Sequence, residues 1–567
     1  MVSTDWGKLL EDLRVQREEE VVGKFLERYR VHFSSVSQQL TSYCEQLDRS
    51  RNGEVSSDKE HLKSLIDETR KALRFGMACL SVQDSETRRD VQNEAIAYGW
   101  HMPLPRILSH PKGDAKSRLT TSRLLSNLVT SNAQSALVIF TSVPLGPSRT
   151  DISFRIREGL SEANAKEEQN VELVDPNWTE MMLCAARCGC RNTLAAVVAA
   201  LHNCISSTQD ASLAKDIASH RLLICTLLRQ LVSIKGVQES LKESEQQKQK
   251  EDGKDPATEW ISILLTKLCR MGFLAEVYQA AGGEQASAGT IFPEQTLLLH
   301  CLREEVDSMV TDNYRDTFER NNPLGGEASK DSATASCFFL VQQYSIVRGE
   351  VASEMDNDEL ITGLRQSALL TILDIMSEAL GVDTEATAAM RLSIGRETTF
   401  VHEVALDLGK IVDHLSTLNS GRKVRDISML DEDRQTITGL VRTLGNLCFG
   451  CRPNQDLLRT LIVSPADGKV VSERSALHVL LSCTSFSHSC FTLREWAVVA
   501  IRNALDNNDH NQAEVAKLEG QQPVQSAELN DMGVRVEMDP RGKVSVVPLD
   551  KIPEGAHSGD SDDVNKA

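Results

Sequence analysis

Three stretches gather side chains able to do chemistry. "CFGC" places Cys448 and Cys451 at metal-ligand spacing, with His478, Cys483, His488 and Cys490 downstream, the residue types of a tetrahedral zinc site. "VHEVALDLGK" carries His402 and Glu403, the opening pair of the two-histidine zinc helix of metalloproteases. "LREWAVVAIRNALDNNDHNQ", residues 493–512, sets a tryptophan, an Arg-Asn pair and an Asn-Gln pair on one helix and its exit. Such amides offer paired donors and acceptors, which suits a peptide backbone better than a reactive centre.

The spacing decides against the first two. The fourth residue after His402 is Leu406, so the second histidine is missing. Cys448 and Cys451 line up with Leu505 and Asn508 of a second, similar segment, which puts them at a helix end and reads them as buried thiols. "CGC" at 188–190 is read the same way. "PLGGEASKDS" at 323–332 lacks phosphate-loop spacing and reads as a linker, and no Gly-x-Ser-x-Gly elbow occurs. No catalytic, cofactor-binding or metal residue is assigned. A helical enzyme built on His402/Glu403 or a Cys/His pair keeps no positive support.

The elements that must position the amides are helices. Apolar residues recur at helical spacing in "HLKSLIDETRKALRFGMACL" from 61, "SRLLSNLVTSNAQSALVIF" from 122, "SHRLLICTLLRQLVSIKGV" from 219 and "TGLVRTLGNLCF" from 438. Period-2 alternation is absent before residue 533, so the chain is all-α. Polar or Gly/Pro-rich breaks fall near 144–177, 241–257, 282–293, 320–335 and 419–426, the run at 241–257 serving equally as an extended solvated helix.

Self-similarity fixes the architecture. "LGNLCFGCRPNQ" (444–455) and "IRNALDNNDHNQ" (501–512) match Asn446 and Asn454 to Asn503 and Asn511. Without the loop-like insert 464–474 their spacing approaches the roughly 40–47 residues of a three-helix armadillo or HEAT unit. "LLSNLVTS" (124–131) lines up with "LLRQLVSI" (227–234), and "LRFGMACL" (73–80), "LHNCISST" (201–208) and "LLTILDIM" (369–376) are weaker copies of the same helix. The expected fold is an armadillo/HEAT-like α-solenoid superhelix, with helical repeats over 1–415, a C-terminal repeat domain over 420–520 and a mostly disordered tail over 521–567. Within that tail "VRVEMDPRGKVSVV" (534–547) alternates around a type I turn signal and predicts a hairpin, docked on the last helix or ordered on binding.

On the 493–512 helix Trp496, Ala500, Asn503 and Asn507 share one stripe, and Val498, Ile501 and Leu505 form a second, read as core. Gly439, Thr443 and Asn446 repeat the first stripe one unit earlier, flanked by Arg442. A groove lined by Arg442, Asn446, Trp496, Arg502 and Asn503 follows if the units stack in register. The asparagines have two readings, direct contact with a partner or hydrogen bonds to a neighbouring turn that fix repeat spacing, with Asn454 and Asn511 as caps or turn formers.

Composition narrows the partner. With 62 basic against 81 acidic side chains the net charge is -19, and aromatics make up only 4 %. This disfavours nucleic acid and anionic membrane and points to neutral or basic protein segments. Fourteen scattered cysteines, no signal peptide in "MVSTDWGKLLEDLRVQREEE" and no apolar run near the roughly 20 residues of a membrane span predict a reduced, soluble protein of the cytosol or nucleus, and the cytoplasm is the expected location. Self-association stays open.

"REWAVVAIRNALDNNDHNQAEVAKLE" (494–519) with "LVRTLGNLCFGCRPNQDLLRTL" (440–461) resembles the C-terminal domain of the ataxin-10 family. Arg494–Ala497, Ala500–Asn503, Asn446–Cys448 and the pairs Asn454-Gln455 and Asn511-Gln512 carry the match. Phe75 stands where the family has Asn in an upstream copy, and "VVSERSALHVLL" stands where it has Gly-Gly-Ile-Pro. The resemblance implies an armadillo-type cytoplasmic scaffold without catalytic activity, acting through protein partners in cytokinesis and signalling. The alternative is an armadillo nuclear-transport adaptor. Those carry Trp and Asn four apart on the groove helix, and none of the five tryptophans here has Asn at that spacing.

Overall fold

The computed structural model describes residues 5–16, 29–51, 59–81, 85–110, 114–143, 145, 177–187, 190–208, 210–231, 255–282, 291–311, 330–349, 359–418, 429–463, 474–486, 490–517, 533–538 and 544–548. Almost all of them are helical. Among them, eight helices form one continuous row in which each packs on the next: α1 (Lys59–Leu80), α2 (Ala115–Val129), α3 (Arg191–Thr208), α4 (Pro256–Leu268), α5 (Pro293–Thr311), α6 (Glu359–Gly381), α7 (Asp431–Cys448) and α8 (Phe491–Leu505). Behind them runs a second row, in which Phe33–Arg51 packs on Pro103–Ser109 and that on Trp178–Arg187, and further on Lys330–Gly349 packs on Phe400–Leu418 and that on Ala476–Ser482. Short third helices pair between units, among them Glu385–Glu397 with Arg452–Thr460 and Arg452–Thr460 with Asp509–Ala516. Three-helix units stacked by nearest-neighbour contacts make an all-α solenoid, whose core is a continuous layer between rows.

Local chemistry starts these helices where the sequence breaks. Asp114, Asn132, Asp210, Asp255 and Asn508 each accept, through a side-chain oxygen, a backbone N–H from the first turn of the helix that follows. The turn from a row helix into the next short helix is built alike in two units. Gly450 and Asn507, 57 residues apart, both take left-handed φ (59° and 50°), and Ser131 does so in an earlier unit (58°).

Three repeat matches hold: 73–80, 201–208 and 369–376 all lie in row helices. The fourth is corrected. Residues 124–131 begin in α2, whereas 227–231 end the helix 221–231, which lies outside the row because α3 packs directly on α4; a Leu-Leu-x-x-Leu-Val pattern serves any buried helix. Two further strands appear where none was expected: β1 (Ile462–Val463) and β2 (Arg474–Ser475) pair antiparallel at the two ends of the 464–473 insert. The tail strands β3 (Val534–Met538) and β4 (Val544–Pro548) pair antiparallel, Val536 opposite Val546. The turn residues 539–543, the rest of the tail and the predicted breaks at 241–254, 283–290, 320–329 and 419–426 lie outside the described residues.

The stripe Val498, Ile501, Leu505 is also corrected. In α7 the equivalent Val441, Leu444 and Cys448 are fully buried. In α8 Val498 is 54 % exposed and Ile501 and Leu505 are half-buried, since no further row helix follows among the described residues. The core face of α8 is Leu493, Ala497, Ala500 and Ala504. These are small because α7 comes close: a Cβ on Gly445 would stand 2.8 Å from the Ala500 Cβ.

Candidate functional site

The recurring amides are tied to main chain. Asn446 Nδ2 donates to the Ser377 carbonyl at 2.7 Å, and Asn503 Nδ2 donates to the Gly445 carbonyl at 3.0 Å. α7 and α8 thus each grip the row helix before them. Earlier in the row Asn203 Nδ2 donates to the Thr130 hydroxyl at 2.9 Å, just past the end of α2. Asn454 and Asn511 are neither N-caps nor turn residues. Both lie inside the next short helix, 1 % and 0 % exposed. Asn454 Nδ2 donates to Leu447 O (2.8 Å) and Arg391 O (3.0 Å); Asn511 Nδ2 donates to Ala504 O (2.9 Å) and Gln455 O (2.9 Å). One bond closes the C-terminal end of the preceding row helix, whose last carbonyls have no intrahelical donor, and the other reaches the preceding short helix. Gln455 and Gln512 repeat this, donating to Cys448 O (3.2 Å) and Leu505 O (2.8 Å).

Arg442 and Trp496 come together. The Trp496 ring lies under the Arg442 guanidinium, 4.9 Å from centroid to Cζ, a cation–π arrangement between successive row helices. Arg442 also pairs with Glu378 and, at 3.7 Å, with Asp374 of α6. Arg502 is exposed and stands apart from this cluster, in the slot that Gly445 fills in α7.

Arg442 borders a cleft of about 430 Å³ across α5, α6 and α7, reaching Thr492 of α8. Among the described residues its walls carry Arg303, Arg434 and Arg442, one carboxylate, Asp374, and His300, Gln435 and several hydroxyls. Arg303 pairs with Asp374 at 3.3 Å and Arg434 with Asp431 at 2.9 Å. His300 Nε2 and the Ser367 hydroxyl are 3.1 Å apart. Thr371, Asp374, Gln435 and Thr438 do not stand out in the sequence. Their signal is the spacing: 371, 374 and 378, like 435, 438 and 442, share one helical face.

All the described cysteines but Cys190 are buried. Burial pushes the Cys448 thiol well up, and Cys483, also raised by burial to about 12, donates to the Val479 carbonyl at 3.4 Å. Cys451 begins the helix Arg452–Thr460, and the His478 imidazole is 2.9 Å from the Ser475 hydroxyl. His402 is exposed, whereas Glu403 accepts from Ser345 at 2.6 Å. His488, Cys188 and Gly189 lie outside the described residues.

Stacked three-helix units with an amide-clamped inner row define an α-solenoid repeat protein. A family model described as the spinocerebellar ataxia type 10 protein domain matches residues 437–547, from mid-α7 into β4. Over those residues the chain carries the domain of the ataxin-10 family, and it is similar to ataxin-10 proteins over a longer stretch. Ataxin-10 of Xenopus tropicalis is 27 % identical over 245 residues, 41 % of this chain and 45 % of the relative. The ataxin-10 homolog of Dictyostelium discoideum is 30 % identical over 105 residues, 18 % of this chain and 15 % of the relative. The chain therefore matches less than half the length of these relatives. A solved structure, the crystal structure of Uso1-2, covers 85 % of this chain and 63 % of its own at 13 % identity, with a TM-score of 0.29, too slight a likeness to add to the fold. Among the described residues no helix is long and apolar enough to cross a membrane.

Proposed function

We propose that this protein is a non-enzymatic scaffold of the cytoplasm, which holds an extended or helical segment of a partner protein against the row α1–α8 and serves, as its likeness to ataxin-10 suggests, in cell division and signalling. The observation that carries the reading is the cleft across α5, α6 and α7, a recess with hydroxyls, an amide and guanidinium groups on its walls. A groove that presents such donors in fixed positions selects a segment that pairs them, because a buried unpaired polar group costs about 1–3 kcal/mol. The groove expected from the sequence shifts accordingly: the Asn446 and Asn503 amides each donate to main chain, whereas Arg442 lines the cleft.

The test fills the cleft from its exposed rim. Gln435→Trp together with Thr492→Trp in the full chain should abolish binding to peptides selected from a random library on the wild-type protein, with an unchanged melting temperature. Retained binding of those peptides would place the binding face elsewhere.

A further inference from the structure

We infer that the outer face of α8 is the seat of the chain's own hairpin, β3–β4, whose apolar side caps the C-terminal end of the stack. This cap is independent of the cleft.

Both surfaces are apolar, and both are open in this structure. On α8, Val498 and Val499 are 54 % and 40 % exposed and Ile501 and Leu505 are half-buried, whereas Val441, Leu444 and Cys448 at the matching slots of α7 are fully buried. In the hairpin Val534 stands opposite Pro548, Val536 opposite Val546 and Met538 opposite Val544. Directly opposed residues share a face, and the face alternates with each residue along a strand. These six positions therefore make one side of the ladder, with no charged residue among them, while Arg535, Glu537, Ser545 and Val547 make the other. Val546 is 64 % exposed. An isolated two-stranded hairpin is marginal in water, so its apolar side needs a surface to lie on.

Three features of the chain fit that side to α8. The N-terminal end of the row is already closed by a segment of the same chain: the helix Trp6–Gln16 packs on α1, and Trp6, 3 % exposed, sets its ring 5.6 Å from that of Phe75, which stands at the slot where α7 and α8 carry the clamping Asn446 and Asn503. At the C-terminal end Arg502 fills the slot where Gly445 lets α7 meet Ala500 closely, so a further row helix at that spacing is blocked. A ladder about 5 Å from strand to strand fits over Val498, Ile501 and Leu505 with the Arg502 stem along its edge and the guanidinium in water. The chain also reaches. Residues 518–532 join the end of the last helix to the hairpin, enough for about 50 Å when extended, against about 22 Å for the whole of α8. The matched domain, 437–547, takes in both α8 and the strands.

The experiment uses the full chain with cysteines placed on the two faces. Val546→Cys is combined in turn with Val498→Cys, Ile501→Cys and Leu505→Cys, and the dilute protein is oxidised with diamide. A disulfide needs Cβ atoms about 3.5–4.5 Å apart, so at least one of the three pairs should close within a single chain, as read by mass spectrometry of the digest. Val547→Cys, on the other side of the ladder, should close several-fold less with the same partners. Amide hydrogen exchange over 534–538 and 544–548 gives a second readout: Val498→Asp, at an exposed position of α8, should speed it several-fold because the hairpin loses its seat. Closure in none of the pairs, disulfides that only join two chains, equal closure by Val547→Cys, or hairpin exchange indifferent to Val498→Asp would each overturn the cap.

Discussion

Gly445 and Arg502 occupy the same slot of successive units, and only the glycine is covered: Ala500 of α8 packs against Gly445, whereas Arg502 faces solvent. A side chain at the first position would block the stack, and an arginine at the second marks where the row of described helices stops. Glu495 replaces Thr438 and Leu505 replaces Cys448 at flanking slots of the same face. Gly445→Leu should therefore be strongly destabilising, by several kcal/mol through overpacking between α7 and α8, while Arg502→Leu should leave the melting temperature within about a degree. Thermal unfolding of the two variants side by side checks the slot assignment.

The clamps inside the stack predict a graded series. Asn454→Ala and Asn511→Ala each strip two carbonyls of their donor at fully buried positions, and each should cost about 2–4 kcal/mol at about 1–2 kcal/mol per bond. Asn446→Ala removes a single bond at a half-buried position and should cost about 1 kcal/mol. Urea unfolding measures the order; equal losses at the three positions would contradict it.

Gly395 supports one clamp from the opposite side. A Cβ there would stand 1.7 Å from Asn454 Oδ1, so Gly395→Ala must displace that side chain. It should lower stability about as far as Asn454→Ala does, and the double variant should add little to either single one.

Acid sensitivity is predicted at the start of α4. Burial alone would raise the Asp255 carboxyl, but hydrogen bonds from Arg191 and Thr258 outweigh it and hold it at about 2, below the ordinary 3.8. A lowered folded value means that its contribution is complete above about pH 4 and disappears as pH falls towards 2. Asp255→Asn should melt lower than wild type at pH 7, and the gap should close on acidification. A gap that widens on acidification would reverse the sign.

Thiol chemistry offers a separate check. Burial raises the Cys44 and Cys337 thiols to about 12, and Cys204 and Cys269 further. Among the described cysteines only Cys190 is not buried. A disulfide reagent at pH 8 should therefore label the folded chain slowly at all described cysteines but Cys190, and all fourteen sulfurs after denaturation.

Much of this was legible because a repeat writes the same physics twice. Asn446, Asn454 and Gln455 recur at 503, 511 and 512, and the structure gives each pair the same contacts. Two things were not legible. Periodicity shows which face of α8 is apolar but not whether another helix covers it, so Val498 reads as core from spacing and stands exposed in the fold. The cleft was hidden as well, because Arg303, Asp374 and Gln435 lie on three different helices, and only stacking brings them to one wall.

The decisive measurement compares two double variants of the full chain for melting temperature and peptide binding. Asn446→Ala with Asn503→Ala should lower the melting temperature by about two degrees, while Gln435→Trp with Thr492→Trp should leave it unchanged and abolish binding. An asparagine pair that melts as wild type yet loses the peptide, beside a tryptophan pair that still binds it, would contradict the division between clamp and groove.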